Sequence, residues 1–194
     1  MKILAFVDLH GDKNALNEVV EKGKKADVIL CAGDISVFEA HMDKILDKLN
    51  QIGKPVLMIH GNHEMKEQLK DMCMDLENIV FLHRGLYEKD GVSFIGFGGG
   101  GFSRMDEEFE EFVAKVKPHL KKKIVLMTHG PPFETNLDSL YDSNTGNKSY
   151  RRFIEKYQPL LAVSGHIHET AGAVDTIGKT YLINPGKKGR ILKI

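Results

Sequence analysis

Two pairs of side chains that can bind metal ions stand directly after apolar segments of the chain. Asp8 and His10 follow the segment ILAFV, and His166 and His168 follow LLAVS and a glycine, in each case two residues apart. At the end of a strand this spacing turns both side chains to the same side. Carboxylate and imidazole groups together are typical of transition-metal sites. The first chemistry that these residues indicate is therefore metal binding.

Three further apolar segments end in the same way, at Gly33-Asp34, at Gly61-Asn62-His63-Glu64 and at His129-Gly130. In an open α/β sheet, the carboxyl ends of the strands are where the ligand site lies. The side chains that these ends supply are Asp8, His10, Asp34, Asn62, His129, His166 and His168. That set exceeds the roughly four to six ligands of one ion. We therefore expect two divalent ions that share a bridging carboxylate.

The elements that must position these residues alternate between strand-like and helix-like patterns, which predicts α/β layers. Strands are predicted at Ile3–Val7, Val28–Cys31, Val56–Ile59, Val92–Phe97, Ile124–Met127 and Leu160–Val163. Helices are predicted at Asn14–Gly23, Val37–Leu49, Glu64–Met72, Asp106–Val116 and Ser149–Tyr157, with Ser36 as an N-cap and Gly23 and Gly53 as stops. The segment GAVDTIGKTYLINPG predicts two short strands about a turn. Since no linker interrupts the pattern, we expect a single domain over residues 1–194.

The ordered motifs Asp-x-His, Gly-Asp, Gly-Asn-His-Glu, Thr-His-Gly and Gly-His-x-His resemble those of the calcineurin-like metallophosphoesterase superfamily. They span the chain from Asp8 to His168. The resemblance implies a four-layer α/β/β/α sandwich with two central mixed β-sheets. The segments THGPP, GHIHETAG and INPG are most similar to small, stand-alone members without a cap domain.

The resemblance also implies a role for each residue of the set. It implies one ion bound by Asp8, His10 and His168, a second bound by Asn62, His129 and His166, and Asp34 as the bridge between them. His63 is implied to bind the phosphate and assist the leaving group rather than to bind metal. An imidazole, with a pKa of about 6.5 in peptides, can donate that proton near neutral pH.

A dinuclear phosphoesterase is the function that follows, with attack by a hydroxide held between the two ions. We expect a phosphodiesterase for a small phosphodiester, such as a nucleotide, with Mn, Fe, Ni or Zn as the metals. The alternatives are a phosphomonoesterase or a nuclease with the same site, and a non-enzymatic binding scaffold of the same fold.

The composition restricts the partners of the protein. The 194 residues include 27 Lys and Arg against 27 Asp and Glu, so the formal net charge is zero and no nucleic-acid partner is expected. Cys31 and Cys73 are spaced neither as a disulfide framework nor as a metal knuckle, and no apolar segment reaches the roughly 20 residues of a membrane span. We expect a soluble, cytoplasmic protein without membrane contact; the sequence leaves its oligomeric state open.

Two loops are predicted to be mainly structural. The segment Gly96–Phe102 lacks the Lys-Ser/Thr of a phosphate-binding P-loop, so we predict a tight connection with positive φ that can border the site. The segment Asp142–Arg152 is predicted to be a loop and helix start, where Asn147, Lys148 or Ser149 could contact a substrate phosphate. The remaining histidines are assigned to a satisfied core position (His60) and to surface or packing positions (His41, His83 and His119).

Overall fold

The computed structural model of the chain describes residues 1–38 and 40–194. Within these residues the helices are α1 (Lys13–Gly23), α2 (Met42–Asn50), α3 (Lys66–Met74), α4 (Glu107–Val116) and α5 (Lys148–Tyr157). The strands are β1 (Lys2–Phe6), β2 (Val28–Cys31), β3 (Val56–Met58), β4 (Ile79–Phe81), β5 (Gly85–Lys89), β6 (Val92–Phe97), β7 (Lys123–Thr128), β8 (Ser139–Leu140), β9 (Ser143–Asn144), β10 (Leu161–Val163), β11 (Val174–Ile177), β12 (Thr180–Ile183) and β13 (Arg190–Lys193). Short 3-10 turns lie at Lys117–His119 and His168–Thr170.

The strands form two mixed sheets and one small hairpin. The first sheet has the order β13-β1-β2-β3-β4, in which β1 to β4 are parallel and β13 is antiparallel. The second sheet has the order β11-β12-β10-β7-β6-β5, with a parallel centre and antiparallel strands at both edges. Strands β8 and β9 pair with each other.

Alternating side chains of each strand enter two different hydrophobic cores, because successive residues of a strand point to opposite faces. In β1 and just after it, Ile3, Ala5 and Val7 face the core between the two sheets. Leu4 and Phe6 face a second core, which α1, α2 and α3 cover. A third core lies on the far side of the second sheet, under α4 and α5. The layers are thus helix, sheet, sheet and helix, which confirms the predicted fold class.

The main difference from the sequence-based prediction concerns the second helix. The sequence pattern places its start at Val37, but the helix begins at Met42; residue 39 of the predicted span lies outside the described residues. Ser36 is not its N-cap: the Ser36 N–H donates to Glu64 Oε1 at 3.2 Å, within the loop that follows β2. The third helix likewise begins at Lys66 rather than Glu64.

The carboxyl-terminal segment forms the predicted pair of strands. β11 and β12 are antiparallel, with Val174 opposite Ile183. The sequence pattern does not predict strands β4, β5 and β13, because they are short or only partly buried and therefore lack a continuous apolar pattern.

Both cysteines are free thiols in the core. None of the helices in the described ranges has the length and apolar character needed to cross a bilayer.

Candidate metal centre

The seven side chains with metal-binding chemistry meet where five strands end. β1, β2 and β3 of the first sheet lead to Asp8, Asp34 and Asn62, and β7 and β10 of the second sheet lead to His129 and His166. Because β1, β2 and β3 run parallel to one another, as do β7 and β10, their carboxyl ends lie at one edge of each sheet. The site therefore spans the junction between the two sheets.

The first group of donors consists of Asp8, His10 and His168. Their ligand atoms lie within 4.8 Å of one another, and the Nε2 atoms of the two imidazoles are 2.9 Å apart. The backbone N–H of His166 donates to Asp8 Oδ2 at 3.1 Å and so helps to fix the orientation of the carboxylate. These three side chains can hold one cation.

The second group is centred on the amide oxygen of Asn62. Asn62 Oδ1 lies 3.1 Å from His129 Nε2 and 2.8 Å from His166 Nδ1. His129 Nδ1 lies 2.9 Å from the Ala32 carbonyl oxygen and donates to it, because that oxygen can only accept. This bond fixes the ring so that Nε2 faces the site.

The Asp34 carboxylate lies between the two groups. Its Oδ2 atom is 3.4 Å from His129 Nε2 and 3.8 Å from His10 Nε2. Asp34 also shares a compact set of donor atoms with Asp8 and His129, and another with His10 and His63. Among the predicted site residues it is thus placed to contact cations on both sides.

His63 lies beside this cluster. Its ring centroid is 4.9 Å from that of His10, and its backbone N–H donates to Asp34 Oδ1 at 3.0 Å. The side chain is partly exposed. His63 is therefore next to the candidate ligands and within reach of a molecule that binds there.

The two carboxylates of the site are buried, at 8 % and 1 % exposure for Asp8 and Asp34. Burial raises the pKa of Asp8 to about 6. Burial opposes ionisation of Asp34 too, but hydrogen bonding and attraction to His129, with the His63 N–H, outweigh it and lower the pKa of Asp34 to about 2. Among the described residues no Lys or Arg pairs with either carboxylate. Burying an ionised carboxylate is costly unless it is paired, and a nearby cation removes that cost.

Two of the imidazoles, those of His10 and His166, have their pKa values shifted towards the neutral form that metal binding requires. Burial lowers the pKa of His10, and it lowers that of His166 to about 4, so both rings are neutral near pH 7. For His129, burial favours the neutral ring, but the hydrogen bond and charge of Asp34 prevail and raise its pKa. Asp34 thus favours positive charge at the position of the His129 ring, as it would favour a bound cation. The donor set and its buried charge thus fit divalent cations.

Glu64 is the last residue of the Gly-Asn-His-Glu motif, and the sequence predicts no role for it beyond a helix start. Its carboxylate is buried and accepts three backbone hydrogen bonds: from Gly61 at 2.9 Å and Asp34 at 3.0 Å on Oε2, and from Ser36 at 3.2 Å on Oε1. It therefore ties the loop after β2 to the loop after β3. The sequence feature that could have indicated this role is the position of Glu64 three residues after Gly61, immediately after the Asn-His pair.

The two loops approach so closely that glycine is required. A Cβ atom on Gly61 would collide with the Asp34 carboxylate, and one on Gly33 would lie 2.6 Å from the Gly61 nitrogen. Four of the predicted ligands, Asp8, His10, Asp34 and His166, also have φ between 46° and 69°. Such left-handed conformations are costly for residues other than glycine and cluster at functional sites.

The glycine-rich loop has the predicted positive φ values, and it borders the site. Gly99, Gly100 and Gly101 have φ of 77°, 85° and 44°, and a Cβ on Gly101 would be 3.7 Å from the His166 ring. Phe102 follows, with its ring centroid 4.5 Å from that of His166. Phe38 contacts His63 in the same way at 5.3 Å. Both phenylalanines are exposed, and the sequence pattern does not predict their proximity to the site.

Side chains of the Asp142–Arg152 segment have partners within the protein. Asn147 caps α5 by accepting from Ser149 and Tyr150 N–H groups, and Ser149 Oγ donates to Glu110. The Lys148 ammonium lies 4.9 Å from the Phe133 ring centroid. This segment is a structural support in the described conformation.

Two histidines outside the site also pack against its glycine-rich loop. His60 is buried, as predicted, but its Nδ1 has no hydrogen-bond partner within the described residues, so the prediction of a satisfied ring was wrong. His83 Nδ1 accepts from the Gly98 N–H at 2.9 Å, and the two imidazole centroids are 4.6 Å apart. His83 therefore has a packing role.

Replacing Glu64 with glutamine should destabilise the protein. One acceptor oxygen becomes an N–H donor that faces buried N–H groups, and leaving such groups unpaired costs about 1–3 kcal/mol. Thermal unfolding should shift down by roughly 2–10 °C for a chain of this length. The exposed neighbour Glu67, changed to glutamine, is the matched control and should leave the melting temperature nearly unchanged. A Glu64→Gln protein as stable as the wild type would exclude this role.

Metal affinity should weaken as the pH falls through about 6. Asp8, with its pKa raised to about 6, is protonated below that value, and each bound proton competes with a metal ion. From pH 7 to pH 5, one such group reduces the apparent affinity about tenfold. Competition with a chelator of known pH dependence measures this change. An affinity that is constant over this range would show that Asp8 does not take part in metal binding.

Comparisons with known proteins agree with the fold and the motifs. A sequence model of the calcineurin-like phosphoesterase family matches residues 1–170. A probable cyclic nucleotide phosphodiesterase of Synechococcus sp. is 25 % identical over 76 % of this chain and 60 % of that protein. An uncharacterised protein of Acanthamoeba polyphaga mimivirus is 24 % identical over 87 % of this chain and 82 % of that protein.

Solved structures show the same fold. Protein TT1561 of Thermus thermophilus superposes with a TM-score of 0.78, at 16 % identity, over 96 % of this chain and 90 % of that one. A dimetal phosphatase of Danio rerio superposes with a TM-score of 0.65, at 10 % identity, over 94 % of this chain and 86 % of that one. With the family match over most of its length and the shared fold, the chain belongs to the calcineurin-like phosphoesterase family.

Proposed function

We propose that the chain is a phosphodiesterase that hydrolyses a small phosphodiester with the help of two divalent metal ions. The observation that carries this proposal is the position of Asp34. Its Oδ2 atom faces His10 of one donor group and His129 of the other, at 3.8 and 3.4 Å. A carboxylate between two sets of nitrogen and oxygen donors is suited to join two cations.

The proposed ligands of each ion are the side chains that lie together in the structure. Asp8, His10 and His168 would hold one ion, Asn62, His129 and His166 would hold the other, and Asp34 would contact both. Nitrogen and oxygen donors in this mixture suit Mn, Fe, Ni or Zn. When bound, the two ions supply positive charge for the phosphoryl oxygens and lower the pKa of water to near neutrality.

The proposed role of His63 is to serve the leaving group. It is next to the donor cluster but is partly exposed, and its N–H bond to Asp34 fixes its backbone. An imidazole there can hydrogen-bond a phosphoryl oxygen and give a proton to the departing alkoxide. Glu64 would act at a distance, by holding the loops that carry Asp34 and His63.

The preference for a diester is supported by the Synechococcus relative, which is named a probable cyclic nucleotide phosphodiesterase. Zero net charge disfavours a long polyanionic substrate, whose binding depends on many basic side chains. We therefore propose a small substrate, with a nucleotide as the leading type.

The donors come from both sheets between Asp8 and His168, so we propose one domain over residues 1–194. The buried thiols Cys31 and Cys73 support a cytoplasmic location.

The test is hydrolysis of bis(p-nitrophenyl) phosphate and of p-nitrophenyl phosphate by metal-stripped protein, with Mn, Ni, Zn, Fe and Mg restored one at a time. We expect turnover that requires added metal and is faster for the diester. Asp34→Asn keeps the shape of the side chain but removes its charge, and should lower activity by at least about 100-fold, together with the amount of tightly bound metal.

Asp71→Asn, on the exposed face of α3, is the matched control and should retain wild-type activity. Wild-type turnover by Asp34→Asn would refute the proposal. A folded, metal-loaded protein that is inactive on both esters would instead favour a binding scaffold. A faster reaction with the monoester would keep the metal chemistry and change the substrate class to phosphomonoesters.

A further inference from the structure

A groove runs from the candidate metal centre between α1 and α2. Its volume is about 370 Å³, and its lining includes His10, whose Nε2 lies 2.9 Å from that of His168. Cavities of about 300 Å³ and more are large enough for small-molecule ligands. A molecule whose phosphate lies at the metal centre could therefore extend into this groove.

The floor of the groove is apolar. Leu16 of α1 and Ile45 of α2 line it, and both are almost completely buried, with 4 % and 5 % exposure. Val37, in the loop before α2, also lines it and is partly open to solvent, at 41 % exposure. This apolar surface is suited to the base and sugar of a nucleoside rather than to a string of phosphate groups.

The rim of the groove is basic. Lys13, Lys44 and Lys48 line it, and the described lining residues include no carboxylate. Neither Lys13 nor Lys44 makes an ion pair with a described residue, and Lys48 Nζ lies 3.4 Å from the neutral Asn17 Oδ1. Elsewhere on α1 and at its end, by contrast, Lys22 and Lys24 pair with Glu18 and Glu21.

The arrangement of these lysines defines where an anion would bind. Lys44 and Lys48 are four residues apart on α2 and therefore lie on the same face, one helical turn from each other. Lys13 faces them from the first turn of α1. In a protein with no net charge, three lysines around one apolar groove form a local site for a negative group.

We propose that this groove binds the nucleoside and second phosphate of a nucleotide substrate that carries two phosphate groups. The reacting phosphodiester would lie at the metal centre, the nucleoside on the floor formed by Leu16 and Ile45, and the second phosphate between Lys44, Lys48 and Lys13. This inference rests on the proposed phosphodiesterase function and adds the class of substrate to it. The lysines are specificity-determining residues and take no part in the chemical step.

The binding test compares thymidine 3′,5′-bisphosphate with thymidine 5′-monophosphate by titration calorimetry on the metal-loaded protein. The wild type should bind the bisphosphate about three- to tenfold more tightly, the range expected for two or three exposed charge contacts. The Lys44→Ala/Lys48→Ala variant should lose that preference. The Lys70→Ala/Lys115→Ala variant removes two exposed helical lysines elsewhere and should keep it.

The kinetic test uses thymidine 5′-(p-nitrophenyl phosphate) with and without a 3′-phosphate. The 3′-phosphate should raise kcat/KM about three- to tenfold in the wild type and in the control variant, but not in Lys44→Ala/Lys48→Ala. Hydrolysis of bis(p-nitrophenyl) phosphate, which has no second anion, should be the same in all three proteins.

The possible failures are distinguishable. If the wild type binds the two nucleotides equally, or if Lys44→Ala/Lys48→Ala keeps the preference, the groove assignment is wrong, while metal-dependent hydrolysis of bis(p-nitrophenyl) phosphate would leave the phosphodiesterase function intact. If no ester is hydrolysed by folded, metal-loaded protein, the proposed function fails, and the substrate inference fails with it.

Discussion

The burial of two carboxylates at the junction of the two sheets is the constraint on which the rest of the site depends. Asp8 and Asp34 are nearly inaccessible to water. Among the described residues, Asp34 pairs with His10 and His129, and neither carboxylate pairs with a lysine or arginine. Ionised groups in such surroundings require compensating charge. The hydrogen bond and negative charge of Asp34 raise the pKa of His129, so this ring is drawn towards the positive form that would offset part of the charge. Bound cations would offset it fully.

The backbone around the site is arranged to keep these groups together. The loops after β2 and β3 touch through Gly33 and Gly61, where any side chain would collide with the neighbouring loop. Glu64 joins the same loops through three buried hydrogen bonds. Asp34 itself has a left-handed backbone conformation, which is unfavourable for a residue other than glycine. The hydrogen bonds of Glu64 stabilise this conformation of the loop, because leaving buried N–H groups unpaired would cost more. Cores on both faces of each sheet provide the rigid frame.

The sequence predicted the fold class and the meeting of seven side chains, because each stands at the end of an apolar strand and parallel strands end at one edge. It predicted less about the loops. The sequence pattern places the start of α2 at Val37, since an apolar pattern and Ser36 resemble a capped helix, whereas Ser36 N–H is bound by Glu64. The role of Glu64 and the approach of Phe102 to His166 depend on contacts between distant segments, which periodicity does not encode.

The central claim is that two cations share Asp34, and anomalous diffraction from crystals of the manganese-loaded protein tests it most directly. We predict two anomalous peaks, one beside Asp8, His10 and His168 and one beside Asn62, His129 and His166, each with an Asp34 oxygen at coordinating distance. Anomalous scattering distinguishes a metal ion from a water molecule, so occupancy of each position is measured separately. A single peak, or two peaks neither of which contacts Asp34, would contradict the account.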